Sequence, residues 1–353
     1  MNLPILHNAD GSHQYMVELN KWKRGIKNFK CEGPTPIENL STMIHPVIML
    51  KHRSTVFKLR RKQWVDRKFK TEPKRIVGNF FVLNGKYTAH YGHIMLEWLP
   101  TVVYYLHTYP KFKIILQKGS PMIDSLIAAM PSCANRIVVS ELGCMLKIHG
   151  FVKFIRRVNI KPCRFQMYSN IGDHQLTNMK RKVLYCPRYL PEAGHGKCSN
   201  LVHQDDIMNA LGNIKDCDVT MFRPYDTETG DYIPISEQKN MFEDVSVVVG
   251  PRGSAIHNIL WSNRIHIPDV SPLHVVEFVC DNKDVFKTVP ESKIMLRNYL
   301  RNDILGSWKQ YCLSNINCQY HHIIGKLAQG GDVMDVCLST LDKTINYIND
   351  VID

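Results

Sequence analysis

The sequence predicts an α/β protein with parallel sheets covered on both faces. Three observations carry that expectation. From about residue 75, short apolar runs alternate with longer amphipathic ones. The alternation lapses near residues 160–175 and then restarts. The most apolar short run, Ser246–Val249, ends in a glycine turn that leads directly into a helical pattern.

Before the first block, His45–Leu50 and Ser54–Leu59 read as leading strands. Within it, Arg75–Gly85 reads as a strand, His93–Tyr109 as a long helix and Lys113–Gln117 as a strand. Pro121–Met130 is a helix and Arg136–Glu141 a strand. In the second block Asp173–Arg181 reads as a helix and Val183–Arg188 as a strand. His203–Ile214 is a helix with Ile207, Leu211 and Ile214 on one face. Asp218–Pro224 (strand), Ser236–Val245 (helix), Ser246–Gly250 (strand), Ser254–Trp261 (helix) and Arg264–Val270 (strand) complete it. Two such blocks imply two Rossmann-like domains facing an active-site cleft. Residues 1–165 form the first, with basic leading strands, and residues 166–330 the second. Residues 331–353 form a final helix, with Met334, Cys337, Leu338, Leu341, Ile345 and Ile348 apolar, packed on a domain surface.

The chain has 353 residues, room for two ordinary domains. Hydrophobic residues make up 44% and charged residues 22%, which excludes collagen-like, coiled-coil and disordered classes. The formal net charge of +13 favours anionic partners. Much of the excess lies between Lys51 and Arg75, opposed only by Asp66 and Glu72. That strip reads equally as wet basic surface or as a peripheral contact for an anionic membrane surface or an acidic glycan. The 11 cysteines are odd in number and include no C-x-x-C pair, which points to reduced thiols and a cytoplasmic protein. No apolar run is long enough for a signal peptide or membrane anchor.

Two segments carry chemistry. After the Ser246–Val249 strand come Gly250, Pro251, Arg252, Gly253 and Ser254. The glycines let backbone approach a ligand, Ser254 suits an N-cap, and the helix start offers free N–H groups to a phosphate. Arg252 adds a full positive charge. An ordinary strand-to-helix turn would look similar. The second segment is His93–Tyr109, where His93, Glu97 and Thr101 recur at four-residue spacing on an otherwise apolar helix. Such a stripe is hydrogen-bonded inside the fold or lines a cleft. His93 suits a general base, with Glu97 holding its imidazole. A buried His–Glu pair that only stabilises the fold is the competing reading. The pair has no third partner at metal-ligand spacing, so no metal site is expected.

These segments together resemble glycosyltransferase family 61. The stretch Ser236–Trp261 resembles the family's helix, apolar strand and G-P-H-G-[AS] motif, with Gln238, Gly250, Pro251, Gly253, Ser254, Asn258 and Trp261 in place. Arg252 replaces the usual histidine, which keeps a cationic donor and removes any acid–base role there. VLYCPR (Val183–Arg188) is similar to a strand that the family ends in arginine, and His203-Gln204 is a weak match to a third landmark. HYGHIMLEWLP (His90–Pro100) resembles a fourth, with His93, Glu97, Leu99 and Pro100 retained.

The resemblance implies a GT-B arrangement, with the donor on the second domain and the acceptor on the first. It implies an inverting transfer of a xylose, arabinose or N-acetylglucosamine type sugar from a UDP-sugar to a glycan or glycoprotein hydroxyl. No tightly bound cofactor and no strict metal requirement are implied. Arg188, Arg252 and the Ser254 helix start would meet the diphosphate. A carboxylate one strand beyond the glycine turn, Asp269 or alternatively Glu277, would bond sugar or ribose hydroxyls. Two rivals stay open. One is a basic nucleic-acid-binding protein, although the chain fits no nucleic-acid module and no such partner is expected. The other is a nucleotide-sugar binder without catalysis.

Overall fold

The computed structural model describes residues 5–7, 13–15, 43–44, 47–51, 55–59, 74–84, 91–117, 122–140, 145–156, 181–187, 200–224, 226, 228–229, 231–251, 253–267, 269–280, 317–327 and 333–352. They fall into two compact units. The larger comprises Met1–Cys31, Lys161–Ile233 and Glu237–Asp353; the smaller comprises Glu32–Ile160 and Pro234–Ser236. Each is mixed α/β with parallel strands at its centre. The chain opens with an antiparallel pair, β1 (Ile5–His7) and β2 (His13–Tyr15), that belongs to the larger unit.

The smaller unit holds β3 (Met43–Ile44), β4 (Val47–Lys51), β5 (Thr55–Leu59), β6 (Lys74–Val77), β7 (Phe80–Asn84), β8 (Lys113–Gln117), β9 (Ile137–Ser140), β10 (Met145–His149) and β11 (Phe151–Arg156). They form two sheets, ordered β5-β4-β10-β6 and β3-β11-β7-β8-β9. Arg75–Gly85, expected as one strand, is therefore two strands in two sheets. Gly78 breaks it at φ 134, and Gly150 breaks β10 from β11 at φ 145. Both angles lie where L side chains are strained. The breaks are coupled: Gly78 N–H donates to the His149 carbonyl at 3.0 Å, and a Cβ on Gly150 would strike the Gly78 carbonyl. Two parallel strands thus turn the same corner together, which apolar patterning alone does not encode.

The long helix after β7 is also not uniform. It comprises α1 (Tyr91–His93), a π-helical turn (Ile94–Trp98) and α2 (Leu99–Thr108). Pro100 stands in the first turn of α2, where its missing N–H costs little. Helices α3 (Met122–Ala128) and α4 (Pro131–Ala134) follow β8. An apolar cluster holds the two sheets, with Phe80, Val82 and Ile115 packed on Leu146, Ile148 and Val152.

In the larger unit, β12 (Arg181–Tyr185), β14 (Cys217–Met221), β15 (Val245–Pro251), β16 (Leu273–Cys280) and β17 (Cys318–Leu327) are mutually parallel in the order β14-β12-β15-β16-β17. In chain order this is 2-1-3-4-5, a doubly wound sheet. β1 extends it in parallel beside β17, and β18 (Val333–Asp335) and β13 (Asn200–Leu201) close the far edge. Helices α5 (Gln204–Leu211), α6 (Ile235–Phe242, from Glu237 onward) and α7 (Leu338–Val351) complete the unit. Leu341, Ile345 and Ile348 of α7 share one core with Ile207 and Leu211 of α5 and with Val247, Val249, Val276 and Phe278 of the sheet.

Several expected boundaries move. Arg181 opens a strand rather than closing a helix. Met334 lies in β18, and Cys337 is the N-cap residue of α7. The described residues of Arg264–Val270 form no strand: a short 3-10 turn (Asn263–Ile265) is followed by turn residues His266 and Asp269 and a bend at Val270. Pro268 in that run cannot donate a ladder hydrogen bond.

Candidate active site

In an open α/β sheet, ligands bind outside the carboxyl ends of the strands, where the strand order reverses. In the larger unit that point lies between β12 and β15. The two strands are tightly joined there. Cys186 N–H donates to the Val249 carbonyl at 2.7 Å, and a Cβ on Gly250 would collide with the Cys186 carbonyl oxygen. The glycine at 250 is thus required by the neighbouring strand itself. Pro251 ends β15, buried and level with Phe278. Arg188 follows β12 in the sequence and Arg252 follows β15; both lie outside the described residues.

The segment after the turn differs from expectation. Ser254–Trp261 is a 3-10 helix, and its N-cap residue is Gly253 in extended conformation, without a side-chain cap. Ser254, expected as the N-cap, is instead the first helical residue, and only its backbone is described. The Ile256 N–H turns back to the Gly253 carbonyl at 3.2 Å, closing the first turn tightly.

Gln238 and Asn258 are both buried, and Asn258 Nδ2 donates to Gln238 Oε1 at 3.1 Å. Gln238 Nε2 in turn donates to the Ile233 carbonyl at 2.8 Å. Asp269 lies elsewhere. It is exposed, in a bend that precedes β16. Asn317, just before β17, donates to the carbonyls of Ile267 and Val270 at 2.9 and 2.8 Å. That bend therefore belongs to the amino edge of the sheet, opposite the glycine turn. The strand beyond the turn is β16, and its carboxylate is Glu277, fully buried and level with Gly250 on one side and His322 on the other. His322 Nδ1 stands 3.8 Å from Glu277 Oε2, within ion-pair range and beyond hydrogen-bond range.

Sequence reasoning missed the buried histidines of β16 and β17: His322 on the face of Glu277, and His274 and His321 on the other. His274 Nδ1 and His321 Nε2 are 2.9 Å apart, both rings are buried, and they stack at 5.2 Å. Burial, helped by the nearby Arg264 charge, lowers the His274 pKa to about 4, so His274 is neutral near pH 7. The signal was present: His274, Glu277, His321 and His322 interrupt two otherwise apolar runs.

In the smaller unit, β7, β8 and β9 proceed one way from β7 while β11 lies on its other side, so the order reverses between β7 and β11. The helix that carries His93 and Glu97 is the one that follows β7. His93 is the last residue of α1 and Glu97 lies in the π turn. Their side chains lie outside the described residues. Thr101, third in the expected stripe, is buried in α2. A π turn takes an extra residue, so it rotates the next helical turns relative to regular α spacing, and such turns recur at functional sites. Among the described residues, no group of three or more His, Cys, Asp or Glu is placed to hold a metal ion, and no helix is long and apolar enough to cross a membrane.

The family model for Glycosyltransferase 61 matches residues 91–265. The chain is a glycosyltransferase family 61-like protein. The match on this glycosyltransferase begins at α1 and ends in the 3-10 turn Asn263–Ile265. It therefore spans His93, Glu97, Arg188, Gln238, the glycine turn and Asn258, and stops before Asp269 and Glu277. No curated protein matches the chain. Among solved structures it is similar to the dodecameric iron-containing heptosyltransferase TibC in complex with ADP-D-β-D-heptose. The identity is 10%, the alignment covers 71% of this chain and 80% of that one, and the TM-score is 0.32.

Proposed function

We propose that this glycosyltransferase is a GT-B-type, inverting enzyme that moves a sugar from a UDP-sugar to a hydroxyl of a glycan or glycoprotein. One observation carries the reading. In each unit the segment with candidate chemistry follows the strand at which the sheet order reverses: the glycine turn after β15, and the His93–Glu97 helix after β7.

In the larger unit the donor's diphosphate lies at the glycine turn. Backbone N–H groups at the 3-10 helix start, with Arg188 and Arg252, meet the charge that develops as UDP departs. Cationic side chains in that role make a metal ion unnecessary. Glu277 is the better placed of the two carboxylates, because it stands one strand beyond the turn and level with Gly250, while Asp269 lies at the opposite edge. Being enclosed, Glu277 acts from beneath the turn. In the smaller unit His93 takes the acceptor hydroxyl's proton, and Glu97 holds the imidazole. The acceptor oxygen forms its bond to the anomeric carbon as the bond to the phosphate oxygen breaks.

The test is a thermal-shift panel of nucleotide sugars. Binding only to the folded state raises the melting temperature, so one UDP-sugar should stabilise the protein above the rest. A panel without response to any nucleotide overturns the reading.

A further inference from the structure

Gln238 and Asn258 lie in the family-matched stretch, yet their side chains are 1% and 0% exposed. A donor molecule at the sheet edge cannot be their direct partner. Their hydrogen bonds instead form a directed chain. The Ile233 carbonyl can only accept, so it must face Gln238 Nε2, at 2.8 Å. That leaves Gln238 Oε1 for its other neighbour, and Asn258 must present Nδ2, at 3.1 Å. One backbone carbonyl therefore fixes the orientation of both amides. Reversing either would oppose two acceptors in a buried place.

The chain joins two segments at one edge of the sheet. Asn258 sits on the 3-10 helix that follows the glycine turn. Ile233 closes the loop that leaves the carboxyl end of β14, and its N–H donates to the Pro224 carbonyl at 3.0 Å. Within that loop Asp226 N–H donates to the Asp231 carbonyl at 2.8 Å, and the Asp226 carboxylate accepts from the N–H groups of Glu228 and Thr229. The loop base is thus an ordered anchor, and β14 neighbours β12, which flanks the reversal point.

We propose that Gln238 and Asn258 are positioning residues, which tie the 3-10 helix of the glycine turn to the base of the Pro224–Ile233 loop and so hold the turn's N–H groups at the donor diphosphate. This rests on the donor reading above. Gln238→Glu keeps the acceptor for Asn258 and removes the donor to Ile233. Asn258→Asp sets two acceptors face to face and draws Gln238 away from Ile233.

The probe is UDP, with binding measured by calorimetry well below the melting temperature. Each variant is expected to bind UDP about tenfold more weakly, the loss of one buried hydrogen bond. With the responding UDP-sugar, the donor KM rises in proportion while kcat holds within about twofold. Ile348→Val, which removes a buried methyl group from α7, serves as control: it lowers the melting temperature and leaves UDP affinity unchanged. Hydrogen exchange on the unmodified protein requires no variant to fold, and UDP should slow exchange at Asp226 and Ile233. Unmodified protein that binds no UDP overturns the donor reading. Unmodified protein that binds UDP, with variants of equal affinity or with no added protection at Asp226 and Ile233, overturns the positioning role alone.

Discussion

In the larger unit the polar groups stand on the strands, whereas in the smaller unit the described strand residues at the sheet centre are apolar and the polar candidates stand on the following helix. His274, Glu277, His321 and His322 are buried within β16 and β17. Phe80–Leu83 and Ile114–Leu116, the corresponding central strands of the smaller unit, contain no polar side chain. Buried polar groups must find partners, and His274 and His321 find each other across adjacent strands. The central strands of the smaller unit avoid that requirement, and the candidate side chains stand instead on the helix with the π turn. Under the proposed function the same topological rule would serve two chemistries, one set by fixed groups on the strands and one by side chains on a helix with a π turn.

The contrast can be broken most forcefully at His93. If the smaller unit supplies the base, His93→Ala lowers kcat by about 10²- to 10⁴-fold and leaves the donor KM and the melting temperature nearly unchanged. An unchanged kcat, measured by sugar transfer, would remove His93 from the mechanism. Next comes Gly250→Ala. The new methyl group meets the backbone of Cys186, which cannot step aside as a flexible side chain would, so the larger unit loses about 3 kcal/mol in urea unfolding. Gly150→Ala, which sets a Cβ against the Gly78 carbonyl, should do the same to the smaller unit.

A titration sharpens the contrast further. His274 has its pKa lowered from 6.5 to about 4 in the folded protein. Between those values the unfolded chain holds the proton and the folded one does not. Stability is therefore fully present above about pH 6.5 and falls as pH drops towards 4, by at most about 3 kcal/mol. Urea midpoints at pH 7 and pH 5 should show that slope, and His274→Gln should flatten it. The smallest effect belongs to Tyr185→Phe. The Tyr185 hydroxyl is buried without a hydrogen-bond partner among the described residues, and burial pushes its pKa upward. Removing it should be neutral or stabilise by up to about 1 kcal/mol. A loss beyond about 1 kcal/mol would show that the hydroxyl has a partner.

Much of the framework was legible because it depends on local pattern. Ser246–Gly250 lies within β15 and Lys113–Gln117 is β8, since continuous apolar runs bounded by turn residues have few other solutions. The α7 helix was legible from Leu341, Ile345 and Ile348 at helical spacing. Less legible was anything that depended on a neighbour distant in sequence. Arg264–Val270 has a strand's composition but no strand partner. The paired corner at Gly78 and Gly150 is invisible until β6 and β10 are adjacent. Where Asp269 and Glu277 lie was illegible for the same reason, because which edge of the sheet a residue occupies is a property of the whole sheet.

By itself the sequence determined the α/β class, the two successive blocks and the motif that ties the chain to its family, since all three are written in residue type and spacing. Only the tertiary structure decided that Gly250 answers to Cys186, that Gln238 and Asn258 answer to each other and to Ile233, and that Glu277 rather than Asp269 stands by the glycine turn. Those outcomes depend on strand order and register. Pairing between strands tens of residues apart sets both, and no local window of sequence contains it.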